Sequence, residues 1–126
     1  MKIVHHHLIY QAKVVRNDLD ESAEEILKKF LYDLVKEIKM EVLIEPVLSF
    51  SQQKAWTGLV GIVTSHIAFH CWTIEKYLQL DIYSCKQFDK NATIKFLNDF
   101  WNVNDYKALL IDREIGQDFQ IEQIGY

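Results

Sequence analysis

The sequence predicts an α+β fold: a two-layer sandwich in which a mostly antiparallel sheet carries two helices on one face. Three observations lead there. Apolar residues switch between alternate spacing and three-to-four spacing in the order β-α-β-β-β-β-α-β. Connections among the middle strands are short enough for hairpins, which only antiparallel pairs allow. The 126 residues are 49% hydrophobic, with four Gly, one Pro and no linker-like tract, so one domain over 1–126 is expected around one core.

The first strand is read in "IVHHHLIYQAKVV", which is rich in β-branched and aromatic residues and puts His5 and His7 on one side and His6 on the other. In "NDLDESAEEILKKFLYDLVKEIKM" the residues Ala23, Ile26, Leu27, Phe30, Leu31, Leu34, Val35 and Ile38 recur at helical steps. A helix of about five turns is expected, started by Asp18 or Asp20, with an acidic first turn that suits its dipole. "EVLIEPVLSF" returns to strand, broken or at an edge around Pro46. "SQQKAW" reads as a loop. "TGLVGIVT" is a strand whose glycines indicate a bulge or a close backbone approach. "HIAFHCW" is extended, and "YLQLDIYSC" alternates, with Leu78, Leu80 and Ile82 on one face and Tyr77, Gln79, Asp81, Tyr83 and Cys85 on the other. "DKNATIKFLNDFW" gives a second helix started by Asp89 or Asn91, with Ile94, Leu97 and Trp101 inward, and "DYKALLIDREI" is a last strand. Two helices cover only one sheet face. Apolar residues on the other face predict a second copy as its cover, so a homodimer is expected.

Charge and composition narrow the function classes. A net charge of -4 and a pI near 5.7, with no basic cluster denser than "ILKKF", argue against a nucleic-acid partner. No stretch approaches the roughly 20 apolar residues of a membrane span, and the N-terminus lacks a secretion pattern, so a cytoplasmic protein is expected. There Cys71 and Cys85 are expected as thiols.

Polar residues concentrate in "VTSHIAFHCW", where Thr64, Ser65, His66, His70 and Cys71 interrupt an apolar run. Such groups are costly in a buried place unless partnered. A metal site is one reading, since His5, His6, His7, His66, His70, Cys71 and Cys85 are all possible ligands. On a strand, however, His66 and His70 stand about 13 Å apart at roughly 3.3 Å per residue and cannot chelate one ion. No metal is expected. A serine hydrolase is disfavoured too, because no G-x-S-x-G elbow surrounds any serine.

The segment "TGLVGIVTSHIAFHCW", with Cys85 thirteen residues beyond Trp72, resembles the prokaryotic S-adenosylmethionine decarboxylases. The matched elements are Ser65-His66, His70-Cys71-Trp72 and the Asp81-to-Cys85 strand end, aligned without a gap from Thr57 to Cys85. Element order, chain length and helix positions agree over nearly the whole chain.

The resemblance implies a self-processing lyase whose pyruvoyl group derives from Ser65. The Ser65 hydroxyl would attack the Thr64 carbonyl to form an ester, and loss of the Ser65 α-proton would split the chain. By the same pattern His70 carries a proton during processing, Thr57 steadies the cyclic intermediate with its hydroxyl, and Cys85 reprotonates the product carbon. The pyruvoyl carbonyl would join a substrate amine as a Schiff base and draw electrons from the departing carboxylate. S-adenosylmethionine is the implied substrate, in polyamine (spermidine) biosynthesis. Two positions depart from the pattern: Thr64 stands where the family has Glu, and Thr73-Ile74 stand where it has Pro-Glu, the Glu that accepts hydrogen bonds from the ribose hydroxyls. Losing such charge-assisted bonds, each worth about 1.5–3 kcal/mol, leaves two alternatives beside the first reading. One is a processed decarboxylase of arginine or ornithine, and the other an unprocessed binding or regulatory homologue.

Overall fold

The computed structural model describes residues 3–103 and 105–125. One antiparallel sheet holds seven strands: β1 (His6–Lys13), β2 (Val42–Phe50), β3 (Ala55–Ile62), β4 (Ser65–Trp72), β5 (Tyr77–Ser84), β6 (Tyr106–Asp112) and β7 (Gln120–Ile124). Their order is β2-β3-β4-β5-β1-β6-β7, so β1 is inserted between β5 and β6. Helices α1 (Glu24–Glu37) and α2 (Lys90–Trp101) complete an α+β sandwich, as expected.

Strand alternation sorts the side chains. Leu8 and Tyr10 of β1, Ile67 and Phe69 of β4, and Leu78, Leu80 and Ile82 of β5 are buried with Leu27, Phe30, Leu31 and Leu34 of α1 and Leu97 and Trp101 of α2. Phe30 lies at the centre, edge-on to Phe69 and Trp101 and stacked on Phe100. Polar tethers fix the layers: the Tyr10 hydroxyl donates to Asn98 Oδ1 at 2.6 Å, and Trp56 Nε1 donates to the carbonyls of Leu19 and Asp20 at 3.1 Å.

Several sequence expectations change. The first helix begins at Glu24, not at Asp18 or Asp20, and runs 14 residues, because Asp20 closes a turn ahead of it: its carboxylate accepts from the Ser22 N–H and its carbonyl from the Ala23 N–H. Ile26 is exposed. Ala55 and Trp56 belong to β3 instead of a loop, while Val63 and Thr64 form a turn rather than the end of that strand. The last strand stops at Asp112, and β7 after it was not expected. Around Pro46, β2 is an edge strand with irregular register, as read. Gly58 is a close approach: a Cβ there would meet Phe69 Cε2 at 2.3 Å.

Candidate active site

A two-residue turn joins β3 to β4, with Ile62 paired to Ser65 across it. Thr64 occupies the turn with φ of 57°, in the left-handed region. A β-branched residue is strained there, by roughly 1–3 kcal/mol. The strain falls on the residue whose carbonyl precedes Ser65. Ser65 is 7% exposed, and its Oγ accepts a hydrogen bond from the Cys85 main-chain N–H at 2.9 Å.

Cys85 follows directly on β5 and reaches the same turn. Its Sγ lies 2.7 Å from Thr64 Oγ1 and 3.7 Å from the Val63 carbonyl, and Thr64 Oγ1 lies 2.8 Å from that carbonyl. The Thr64 hydroxyl can donate to either the Val63 carbonyl or the Cys85 sulfur, one at a time, and aimed at the sulfur it favours the thiolate. Burial works against a Cys85 thiolate but is outweighed by the Ser65 and Thr64 hydroxyls, the Cys85 N–H and the Lys86 charge, which hold this thiol below the ordinary range. Cys71 is the contrast, because burial pushes it up to about 11. Among the sequence-selected residues the turn therefore unites Thr64, Ser65 and Cys85.

Thr57 and His70 form a separate pair. They face each other across β3 and β4 with Thr57 Oγ1 3.0 Å from His70 Nδ1, and both lie on the face opposite the helices. Ser65 points toward the helix layer, and five residues of strand put His70 about 16 Å along it. Within one chain the imidazole and the Ser65 hydroxyl do not meet. Ile74 and Glu75 are exposed in the turn between β4 and β5, at the far end of β4 from Ser65. No cluster of three or more His, Cys, Asp or Glu able to hold a metal occurs among the described residues, and no helix there is long and apolar enough to cross a membrane.

The sequence model of the S-adenosylmethionine decarboxylase family matches residues 6–114. The chain belongs to this family. Relatives include the S-adenosylmethionine decarboxylase proenzyme of Pyrococcus abyssi, 27% identical over 119 residues that cover 94% of this chain and 84% of that protein. That of Clostridium botulinum (strain Langeland) is 27% identical over 100 residues, 79% of this chain and 84% of the relative. The Pyrococcus horikoshii proenzyme reaches 32% over 85 residues, 68% of this chain and 60% of the relative. The adenosylmethionine decarboxylase of Aquifex aeolicus shares the fold, with a TM-score of 0.74 over 94% of this chain and 97% of that one at 20% identity.

This S-adenosylmethionine decarboxylase family member also carries a cluster that sequence reasoning did not assemble. On the open face His5 Nδ1 lies 2.7 Å from the Tyr83 hydroxyl, the Arg113 guanidinium stands 4.9 Å from the Tyr83 ring centroid, and His66 leans against the same ring. His7 lies 3.8 Å from Asp81, with its imidazole held below the usual value by burial, against the pull of Asp81 and with the help of Arg113 and His66. Alternation in β1 and β5 signalled a shared face. The cross-strand neighbours needed the observed order, in which β1 lies beside β5.

Proposed function

We propose that this chain is a self-processing, pyruvoyl-dependent decarboxylase that acts on S-adenosylmethionine. The observation that carries the proposal is the Ser65 hydroxyl: buried, next to a residue in strained backbone, and held by the Cys85 N–H at 2.9 Å. Those features suit a hydroxyl that attacks the carbonyl before it. Relatives named as proenzymes support the same reading. The residues fit a pyruvoyl group made from Ser65, since nothing but the chain itself is needed and the Cys85 thiol already borders the cleavage turn. Such a group supplies an electron-withdrawing carbonyl that condenses with a substrate amine and accepts the electrons left by carbon dioxide.

Cys85 is assigned the proton delivered to the product carbon, and its lowered thiol pKa makes it a readier proton donor than an ordinary thiol. Thr57 and His70 are assigned to processing. Because their pair lies on the open face and away from Ser65 of the same chain, the pair is proposed to act on the turn of a second copy packed against that face. A cytoplasmic homodimer serving polyamine synthesis is the corresponding cellular reading.

Denaturing mass measurement of the purified chain tests processing. Two fragments meeting between Thr64 and Ser65, the second with a blocked N-terminus, are expected, and an intact chain overturns the proposal. Substrate is tested by carbon dioxide release from carboxyl-labelled S-adenosylmethionine. One observation favours a second reading: Ile74 cannot accept hydrogen bonds from a ribose diol, and Glu75 is turned out at the far end of β4. Release from arginine or ornithine instead of S-adenosylmethionine would select it.

A further inference from the structure

We infer that the main-chain N–H of Cys85, aimed by the buried hydroxyl of Ser84, stays with the Ser65 oxygen throughout self-cleavage and stabilises it as it becomes an anion. Ser84 is thereby a positioning residue for processing. The inference rests on the processing reading above and deepens it.

The backbone around Cys85 is held at every polar group. The β4–β5 ladder stops at His66 and Tyr83, so the Cys85 N–H points to the Ser65 side chain instead of continuing the strand pairing. Its carbonyl accepts from the Val4 N–H at 3.0 Å. Ser84 is 0% exposed, and its Oγ accepts from the Lys86 N–H at 3.1 Å and donates to the Lys86 carbonyl at 2.6 Å. Those bonds span Cys85 and bend the chain there, which fixes the direction of the intervening N–H. The Ser84 hydroxyl also lies 3.4 Å from Met40 Sδ, but its two shorter bonds are both to Lys86. A buried hydroxyl that satisfies itself on the residue two further on has a conformational effect, and the conformation it sets aims one donor at one oxygen.

Following that oxygen gives the donor its chemistry. In the first step the Ser65 Oγ bonds to the Thr64 carbonyl carbon, the Thr64–Ser65 C–N bond breaks, and the hydroxyl proton ends on the freed nitrogen. In the second, the Ser65 α-proton passes to the imidazole assigned to processing, the Cβ–Oγ bond breaks, and its electron pair leaves with the oxygen. The oxygen then belongs to the new Thr64 carboxylate. An N–H that starts on a neutral hydroxyl therefore finishes on an anion, and such a bond strengthens as charge develops. It acts mainly on the second step, since only interactions stronger in the transition state speed a reaction.

The test follows fragment formation in the purified full-length chain, with and without neutral hydroxylamine, which cleaves the ester but not a peptide. Ser84→Ala is expected to slow spontaneous splitting by about a hundredfold, the scale of losing one oxyanion donor, while the hydroxylamine-cleavable fraction rises because ester accumulates. A merely structural role would slow ester formation as well and leave no such fraction. A semisynthetic full chain with an ester in place of the Ser84–Cys85 amide removes the N–H while keeping every side chain. Hydroxylamine also cuts that ester, so mass separates fragments ending at Thr64 from those ending at Ser84, and the same shift in the Thr64 fragments is expected even if Ser84→Ala does not fold. Wild-type splitting rates in the semisynthetic chain, or slowed splitting without hydroxylamine-cleavable ester between Thr64 and Ser65, overturn this inference alone. A wild-type chain that stays intact under both conditions overturns the processing reading and this inference together.

Discussion

At the scale of single residues, the β3–β4 turn combines strain with unusual thiol chemistry. Thr64 carries a β-branched side chain at positive φ, where glycine has no penalty. In a Ser65→Ala background, which keeps both chains intact, Thr64→Gly is expected to stabilise the fold by about 1 kcal/mol, read as a higher denaturation midpoint; an unchanged or lower midpoint would show that the turn is not strained. The thiols give a second prediction. Cys85 has its pKa lowered and Cys71 has its own raised to about 11, so iodoacetamide alkylation followed by peptide mass is expected to modify Cys85 first, with a rate midpoint below the ordinary thiol value. Equal rates at the two cysteines would contradict the assignment. That Ser65 and Cys85 come together was legible in their spacing, which the family resemblance marks, whereas His70, singled out with them, pairs with Thr57 on the opposite face. Two features were not legible. The donor to Ser65 is a main-chain group, identical in every non-proline residue, and the helix-side orientation of Ser65 depends on where the turn places the start of β4.

At the scale of elements, what could be read depended on the strength of the period. Leu78, Leu80 and Ile82 alternate without interruption, and their burial follows the expectation. The β7 strand escaped because Gln120–Ile124 holds only two apolar residues, Ile121 and Ile124, which do not alternate; its pairing with β6 defines it instead. The first helix starts late for a local reason: Asp20 spends its carboxylate on the Ser22 N–H and hydroxyl, closing a turn rather than capping. Gly58 shows why a strand glycine was informative. Gly58→Ala is expected to cost about 1–3 kcal/mol, measured by denaturant unfolding, because the new methyl would lie 2.3 Å from the Phe69 ring at the centre of the core. A cost near zero would mean that Phe69 yields freely.

At the scale of the whole molecule, the open sheet face is where the proposed homodimer contact would lie. Val47 and Leu59 are exposed beside each other on it, at 58% and 47%, with Ala68 and Leu109 in the same cross-strand row. Leu59→Lys is expected to yield a monomer in sedimentation with circular dichroism unchanged, and a dimer that survives the substitution would place the contact elsewhere. Neither the apolar count nor the alternation could reveal which strands adjoin, since β1 reaches its neighbours β5 and β6 only after the chain has folded back twice. That insertion would also govern what becomes of the two polypeptides that the proposed cut after residue 64 makes. The upstream piece brings β1, α1, β2 and β3, the downstream piece the remaining strands and α2, and β1 is zipped on both edges into the downstream piece while β3 is zipped to β4. The halves are thus interlaced like clasped fingers, and parting them demands that three ladders open at once.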